Sequence, residues 1–157
     1  MAKALTAAGR HRKSIRRRPR EAPLRPSHGD AVGVEVIDTG HRDLIDLYNS
    51  VREASQLKDR AWTGVLLERL GNATALHFKE EELLMSGINY VQAADHKEEH
   101  RKLLDEFAHQ VDEWRDQHDS AELLCRFLYA WLHRHISAQD AKLARAIKDA
   151  SAASGSA

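Results

Sequence analysis

The sequence predicts an all-α protein, an up-down-up-down antiparallel four-helix bundle, and three observations lead to this prediction. The 157 residues include only three prolines and eight glycines, and the long uninterrupted stretches are rich in Ala, Leu, Glu, Lys and Arg, which favour helices. Four segments repeat apolar residues at intervals of three and four, the spacing of one helix face. The connections between these segments are short, and short connections make successive helices antiparallel neighbours.

The first two helices are predicted from about Asp38 to Ala54 and from about Asp59 to Met85, joined by residues 56–58. The inward stripe of the first consists of His41, Leu44, Ile45, Tyr48 and Val51. The stripe of the second consists of Trp62, Leu66, Leu70, Ala73, His77, Glu81, Leu84 and Met85. Both stripes have the three-and-four spacing of an amphipathic helix.

The last two helices are predicted from about Val91 to Asp116 and from Asp119 to Ile147. The stripe of the third consists of His96, His100, Leu103, Leu104, Phe107, Val111 and Trp114. The stripe of the fourth consists of Leu124, Phe127, Leu128, Trp131, His135, Asp140, Leu143 and Ile147. Asp119 and Glu122 have the spacing of a capping box, which marks the start of the fourth helix.

The ends of the chain differ in composition from the bundle. The first 25 residues contain nine basic side chains and one acidic side chain, together with prolines and no apolar periodicity, which is typical of disorder. We therefore predict a basic disordered tail over residues 1–30, a bundle over 31–148 and a flexible C-terminal tail over 149–157. Nucleic acid or anionic lipid are candidate partners of the basic tail, although a solvated arm without a specific partner is the simpler reading.

The sequence also predicts a cytoplasmic protein. Cys125 is the only cysteine, so no intrachain disulfide forms, and its apolar helical context favours inert packing. The arginines at 16–18 are not followed by an apolar stretch of signal-peptide length, and no segment has the length of a membrane span. A reducing compartment is the expectation that follows.

Polar side chains interrupt the inward stripes at positions where burial without partners is costly. Residues four apart on a helix are offset by only about 40°, so His77 and Glu81 project side by side, as do His96 and His100. Two such pairs on different helices indicate a metal site.

The fourth helix adds a pair with a less convenient spacing. His135 and Asp140 are five residues apart, an offset of roughly 140° on an ideal helix. A local bulge, or a carboxylate that reaches around the helix, would bring both to a shared centre. With His41 on the first helix, the candidates number five histidines and two carboxylates, contributed by all four helices.

This set of side chains restricts the metal. Seven groups are too many for one tetrahedral zinc ion, and the absence of thiolates argues against an iron–sulfur cluster. Mixed imidazole and carboxylate groups in a bundle core favour a pair of iron or manganese ions bridged by the carboxylates. An odd number of terminal ligands would leave one coordination position open for a small molecule. The remaining histidines are expected to be ordinary surface or tail residues, namely His11, His28, His109, His118 and His133.

Four segments resemble the hemerythrin family of non-haem di-iron oxygen-binding bundles, and in particular its bacterial members. They are VGVEVIDTGHRDL at 32–44, HFKEEELLM at 77–85, HKEEH at 96–100 and WLHRHISAQD at 131–140. The HxxxE, HxxxH and HxxxxD elements of the family occur in order. The resemblance implies a cofactor of two iron ions (Fe2+/Fe3+) with an oxo or hydroxo bridge.

The resemblance also implies a role for each site residue. The terminal ligands of a coordinatively saturated iron would be His96, His100 and His135. The second iron, which keeps an open position for dioxygen, would be held by His41 and His77. The bridging carboxylates would be Glu81 and Asp140, and the bulky pair beside the oxygen pocket would be Trp131 and Leu132, which also fit ordinary core packing. Glu82 is expected to be a solvated surface residue, with contact to a ligand histidine as the alternative.

Reversible dioxygen binding is the function that the resemblance implies, for transport, storage or delivery to an oxygen-consuming enzyme. The chain is then not itself an enzyme, although a side peroxidase or ferroxidase activity stays open. The alternatives are a di-iron oxygen or redox sensor, a di-iron enzyme acting on peroxide, nitric oxide or iron, and a zinc or manganese bundle with a structural or regulatory role. The set of five histidines favours the carrier, because repair-type relatives tend to be richer in carboxylate ligands.

Overall fold

The computed structural model describes residues 31–116 and 121–155, and its regular elements in these ranges are all helical. The helices are α1 (Glu35–Gln56), α2 (Arg60–Gly87), α3 (Ala93–Asp116), α4 (Glu122–His135) and α5 (Ala141–Ser154), with a π-helical turn (Ile136–Asp140) between α4 and α5. Each helix of the first four packs against the next, and α4 packs against α1. The predicted all-α four-helix bundle is confirmed.

The fourth long helix of the bundle consists of α4, the π turn and α5. The backbone keeps right-handed helical dihedral angles where the segments meet, at Ile136 (φ −53°, ψ −51°) and at Ala141 (φ −61°, ψ −34°). The chain therefore stays helical from Glu122 to Ser154. Only its hydrogen-bonding pattern changes at the π turn.

Two apolar clusters fill the bundle. The larger one extends along all four helices and includes Leu67, Val51 and Leu128. The smaller one closes one end of the bundle, where Ile37, Met85 and Leu143 are fully buried. The polar candidates of the inward stripes lie in the same interior.

The helix boundaries differ from the sequence predictions by two or three residues at two places. Helix α1 begins at Glu35 rather than near Asp38, because the Asp38 carboxylate accepts hydrogen bonds from the backbone amides of Val32 (2.6 Å) and Gly33 (2.9 Å) and fixes the preceding segment. Helix α3 begins two residues after Val91, since the chain first turns at Asn89 with a positive φ of 50°.

The start of α2 is as predicted. The Asp59 side chain accepts a hydrogen bond from the backbone amide of Trp62 at 3.0 Å and caps the helix. Such a cap contributes about 1 kcal/mol to helix stability. Arg60 then donates to the backbone carbonyls of Trp114 (2.8 Å) and Arg115 (2.9 Å), which ties the start of α2 to the end of α3.

The predicted position of Trp62 on the inward stripe of the second helix is wrong. Its side chain is 45% exposed, and the Arg69 guanidinium lies 5.5 Å from the centre of its ring. The inward face of the first turns is formed by Thr63, Leu66 and Leu67. Trp62, one position before Thr63, is rotated by about 100° from it and reaches solvent.

The predicted flexible C-terminal tail begins too early. Helix α5 continues to Ser154, because the segment after Lys148 is rich in alanine, the best helix former. The predicted disordered tail over residues 1–30 and the predicted cap residue Asp119 lie outside the described residues. Among the described residues, no helix combines the length and apolar character that crossing a membrane requires.

Candidate metal centre

All seven predicted ligands lie together inside the bundle, and none is more than 3% exposed. They form two groups that share Glu81 and Asp140, and within each group the potential donor atoms lie within 4.8 Å of one another. The first group contains three histidines, His96, His100 and His135, and the second contains two, His41 and His77.

In the three-histidine half, one oxygen of each carboxylate faces the imidazole Nε2 atoms. Glu81 Oε2 lies 3.1 Å from His100, 3.8 Å from His96 and 4.0 Å from His135. Asp140 Oδ1 lies 3.3 Å from His96 and 3.2 Å from His135. Five side chains thus present donor atoms to one small volume.

In the two-histidine half, the other oxygen of each carboxylate faces one imidazole Nε2 atom. Glu81 Oε1 lies 3.5 Å from His77 Nε2, and Asp140 Oδ2 lies 3.0 Å from His41 Nε2. Each carboxylate therefore directs one oxygen into each half. This is the arrangement that a carboxylate bridging two cations requires.

The π-helical turn brings Asp140 to the same side as His135. In a π turn the backbone bond closes five residues apart rather than four, so positions i and i+5 share one face. The turn covers Ile136–Asp140, and His135 Nε2 and Asp140 Oδ1 lie 3.2 Å apart. The local bulge expected from the five-residue spacing is confirmed.

The buried donor atoms fit metal ions. Atoms without a hydrogen-bond partner within the described residues include both carboxylate oxygens of Glu81, both ring nitrogens of His77, His96 and His135, His100 Nε2 and Asp140 Oδ1. Each such atom costs about 1–3 kcal/mol when it is left without a partner. Imidazole and carboxylate groups together suit iron and manganese, so two cations would satisfy most of these atoms at once.

Burial sets the protonation of the site. Burial, reinforced by the charge of His41, lowers the pKa of His77 to about 4. Burial together with His135 lowers the pKa of His100 to about 2. Both histidines are therefore neutral at pH 7, the form that binds a metal.

The two carboxylates respond differently to the same interior. Burial and the nearby Asp140 charge raise the pKa of Glu81 to about 10. Burial also acts to raise the pKa of Asp140, but the imidazoles of His41 at 3.0 Å and His96 at 3.3 Å outweigh it, so that this pKa is lowered overall. A bound cation would favour the ionised form of Glu81 as well.

Residues 32–147 match the sequence model of the hemerythrin HHE cation binding domain. The chain belongs to the hemerythrin family. Members of this family are mainly oxygen-binding proteins with non-haem iron rather than enzymes. The match covers α1 to α4, the π turn and the first half of α5, so it contains every candidate ligand.

Individual hemerythrins agree with this assignment. The bacteriohemerythrin of Pseudomonas aeruginosa is 31% identical over 120 residues, which are 74% of this chain and 76% of the relative. Hemerythrin subunit 1 of Golfingia vulgaris is 31% identical over 108 residues, or 68% of this chain and 78% of the relative. A crystal structure of wild-type hemerythrin superposes with a TM-score of 0.73 at 25% identity, covering 80% of this chain and 98% of that one.

Two residues that the sequence did not single out shape this hemerythrin site. The ring of Phe78 stacks on the His100 imidazole with ring centres 3.8 Å apart and an angle of 4° between the planes. At Gly40 on α1, an added Cβ would lie 2.3 Å from His77 Nδ1. The sequence carried a signal for Phe78, because it precedes Glu81 by three positions and so shares its helix face.

The two residues predicted for the oxygen pocket are buried in the hemerythrin bundle. Trp131 is 2% and Leu132 is 4% exposed. The Trp131 ring centre lies 6.1 Å from that of Phe78 and 6.5 Å from that of Phe107. Both residues belong to the larger apolar cluster, and their role toward dioxygen stays a prediction.

Glu82 contacts a candidate ligand, as the alternative reading had it. Its Oε1 atom lies 3.2 Å from His100 Nδ1, although the side chain is still 34% exposed. His109 and His133 are exposed and take no part in the cluster, as expected. The other three histidines without a predicted role, His11, His28 and His118, lie outside the described residues.

Proposed function

We propose that this protein binds dioxygen reversibly at a pair of iron ions and acts as an oxygen carrier, store or delivery protein. One observation carries the proposal: two buried carboxylates each direct one oxygen into the three-histidine half and the other into the two-histidine half. When bound, the iron pair with its oxo or hydroxo bridge supplies the two electrons that reversible dioxygen binding requires. Membership in an oxygen-binding family supports this choice.

The proposed ligands divide unequally between the two ions. One ion would receive five donors, from His96, His100, His135 and the two carboxylates. The other would receive four, from His41, His77 and the same carboxylates Glu81 and Asp140. Since His41 and His77 would leave their ion with fewer protein donors, dioxygen would be bound on their side of the site.

The surroundings of the donors keep water away. Trp131, Leu132 and Phe78 are all at most 4% exposed, and we propose that Trp131 and Leu132 form the wall of the oxygen pocket. A dry pocket slows autoxidation, because proton transfer and charge separation are disfavoured where solvent is excluded. The residues of the chain thus act by positioning and by excluding water.

We place the protein in the cytoplasm, where it would deliver oxygen to an oxygen-consuming enzyme. Its single cysteine, Cys125, is buried, which fits a reducing compartment. The basic tail would meet nucleic acid or anionic lipid only through nonspecific charge. The donor set of five histidines and two carboxylates favours a carrier over an enzyme, so we propose that the protein is a carrier.

Oxygen uptake tests the proposal. The reduced, iron-loaded protein should take up one dioxygen per two irons and release it when the oxygen pressure is lowered, as measured with an oxygen electrode and an iron assay. Glu81→Ala should lose most of the iron, because it removes a donor from both halves, while the neighbouring Glu80→Ala should load normally. Full iron loading of Glu81→Ala would contradict the site assignment. Consumption of oxygen without release would contradict the carrier function.

A further inference from the structure

Two glutamates outside the seven candidate ligands contact the outer nitrogens of two candidate histidines. Glu82 on α2 places Oε1 3.2 Å from Nδ1 of His100 on α3. Glu99 on α3 places Oε1 3.6 Å from Nδ1 of His135 at the end of α4. Each glutamate thus reaches from its own helix to a histidine of the next.

The inner nitrogens of the same two rings face the bridging carboxylates. His100 Nε2 lies 3.1 Å from Glu81 Oε2, and His135 Nε2 lies 3.2 Å from Asp140 Oδ1. An imidazole whose Nδ1–H donates to a carboxylate leaves the lone pair of Nε2 free for a metal, and the carboxylate makes that nitrogen a stronger donor. Glu82 therefore selects the metal-binding form of His100 through a hydrogen bond of 3.2 Å. Glu99, whose Oε1 lies 3.6 Å from His135 Nδ1, favours the same form of His135 through its charge.

Other side chains hold the two outer glutamates in place. The Gln139 side chain amide donates a hydrogen bond of 2.6 Å to Glu99 Oε2. The Lys97 ammonium lies 4.0 Å from Glu82 Oε2. The two glutamates are 34% and 29% exposed, so they stand at the boundary between the buried cluster and solvent.

The two-histidine half is built differently around His77. Its Nδ1 has no hydrogen-bond partner among the described residues and lies against α1 at Gly40. Nδ1 of His96, the third histidine of the other half, likewise makes no hydrogen bond there. The contacts of Glu82 and Glu99 both fall on the three-histidine half.

We propose that Glu82 and Glu99 are positioning residues that orient His100 and His135 toward the metal and strengthen the hold of the three-histidine half on its ion. This inference rests on the metal centre of the proposed function but not on dioxygen binding. It predicts two metal positions of unequal affinity. The affinity of the three-histidine half, which Glu82 and Glu99 contact, should fall selectively when either glutamate loses its charge.

Cobalt titration tests the proposal without using oxygen. Co2+ is added to the full-length metal-free protein, and the dissociation constants are measured from its visible bands in competition with a chelator. Glu82→Gln and Glu99→Gln should each weaken binding about 10-fold to 100-fold, the usual effect of removing a partner of a ligand histidine. A change of less than threefold in either variant would overturn the assignment of that glutamate. Circular dichroism verifies that the variants are folded.

Glu98→Gln is the matched control. Glu98 precedes Glu99 on α3, pairs with Arg101 at 2.8 Å and Lys102 at 3.4 Å, and is 47% exposed. Its substitution should leave the cobalt dissociation constants within threefold of the wild type. An effect of Glu98→Gln as large as that of Glu99→Gln would reduce the proposal to a general charge effect and overturn it.

Mössbauer spectra of the 57Fe-loaded diferric protein show where the effect falls. Each glutamine variant should change the quadrupole splitting of one iron and leave that of the other as in the wild type. Equal changes at both irons, or none, would overturn the proposal. Wild-type protein that binds two cobalt ions, but whose iron-loaded form binds no dioxygen, would contradict the proposed function alone. Failure to bind cobalt would contradict both proposals.

Discussion

At the scale of single residues, Gly40 is where helix α1 passes the His77 imidazole. An added Cβ would lie 2.3 Å from His77 Nδ1, closer than atoms can approach. We predict that Gly40→Ala displaces the ring, lowers the metal content of the two-histidine half, and lowers the free energy of unfolding by about 1–3 kcal/mol, as overpacking usually does. Metal analysis and denaturant unfolding measure the two effects.

Gly64 provides the control for this substitution. A Cβ there would meet nothing nearer than the Trp114 ring at 3.8 Å, so Gly64→Ala should raise the free energy of unfolding by about 0.5–1 kcal/mol through better helix propensity. It should leave the metal content unchanged. If Gly40→Ala bound metal as fully as Gly64→Ala, the close approach of α1 to His77 would not matter for the site.

Leu132 tests the proposed water-excluding wall. Leu132→Ala should keep its iron, lower the free energy of unfolding by about 2–5 kcal/mol, and shorten the lifetime of the oxygenated form, because water enters the cavity. Leu124→Ala removes an equally buried leucine about 12 Å away along the same helix. Equal lifetimes for the two variants would exclude Leu132 from the oxygen pocket.

Residue types and helical spacing were enough to predict the seven candidate ligands. His77 and Glu81, or His96 and His100, share a face within one helix, so their pairing can be derived from positions along the chain. The contacts of Gly40, Phe78 and Glu99 could not be derived in this way. They are made with residues of other helices, and their partners depend on how those helices rotate against one another.

At the scale of secondary-structure elements, the π turn keeps His135 and Asp140 on one face although they are five apart. Deleting the exposed Ala138 leaves them four apart, and a regular α-helix then offsets them by only about 40°. We predict that this deletion converts the turn to α-helix and retains metal binding within about tenfold. Deleting the exposed Lys142, after Asp140, rotates the fully buried Leu143 out of the core and should markedly lower the melting temperature.

Circular dichroism and metal titration compare the two deletions. If the chain without Ala138 failed to bind metal while remaining folded, the π turn would not serve to place Asp140 on the same face as His135.

The five-residue spacing of His135 and Asp140 predicted a bulge, but the end of α5 was not predicted. The composition of residues 149–157 predicts a flexible tail, whereas the alanines after Lys148 continue a helix that already exists and needs no new nucleus.

At the scale of the whole molecule, we expect a bound metal pair to stabilise the bundle. The site contains many buried polar atoms without hydrogen-bond partners among the described residues, so its ions should bind the folded chain far better than the unfolded one. With free metal at 100 times the dissociation constant, one ion adds about 2.7 kcal/mol. We predict a higher melting temperature for the loaded protein and its reversal by a chelator. Identical melting curves with and without metal would contradict the site.

The bundle itself was predictable because its four stripes, their order and the short connections admit few other arrangements. The exposed position of Trp62 was not, since a stripe drawn by spacing alone does not show where the partner helices end. The closure of one end by Ile37, Met85 and Leu143 likewise depends on contacts between the first and last helices, far apart in the sequence.

Reversible oxygenation is the central claim, and an optical cycle tests it most directly. The iron-loaded protein is reduced without oxygen, exposed to oxygen and then returned to an oxygen-free atmosphere while its visible spectrum is followed. We predict a peroxide-to-iron absorption that appears with oxygen, disappears when oxygen is removed, and returns in a second cycle. Direct and irreversible conversion to the ferric spectrum, without that absorption, would contradict the carrier function and favour a redox sensor or a di-iron enzyme.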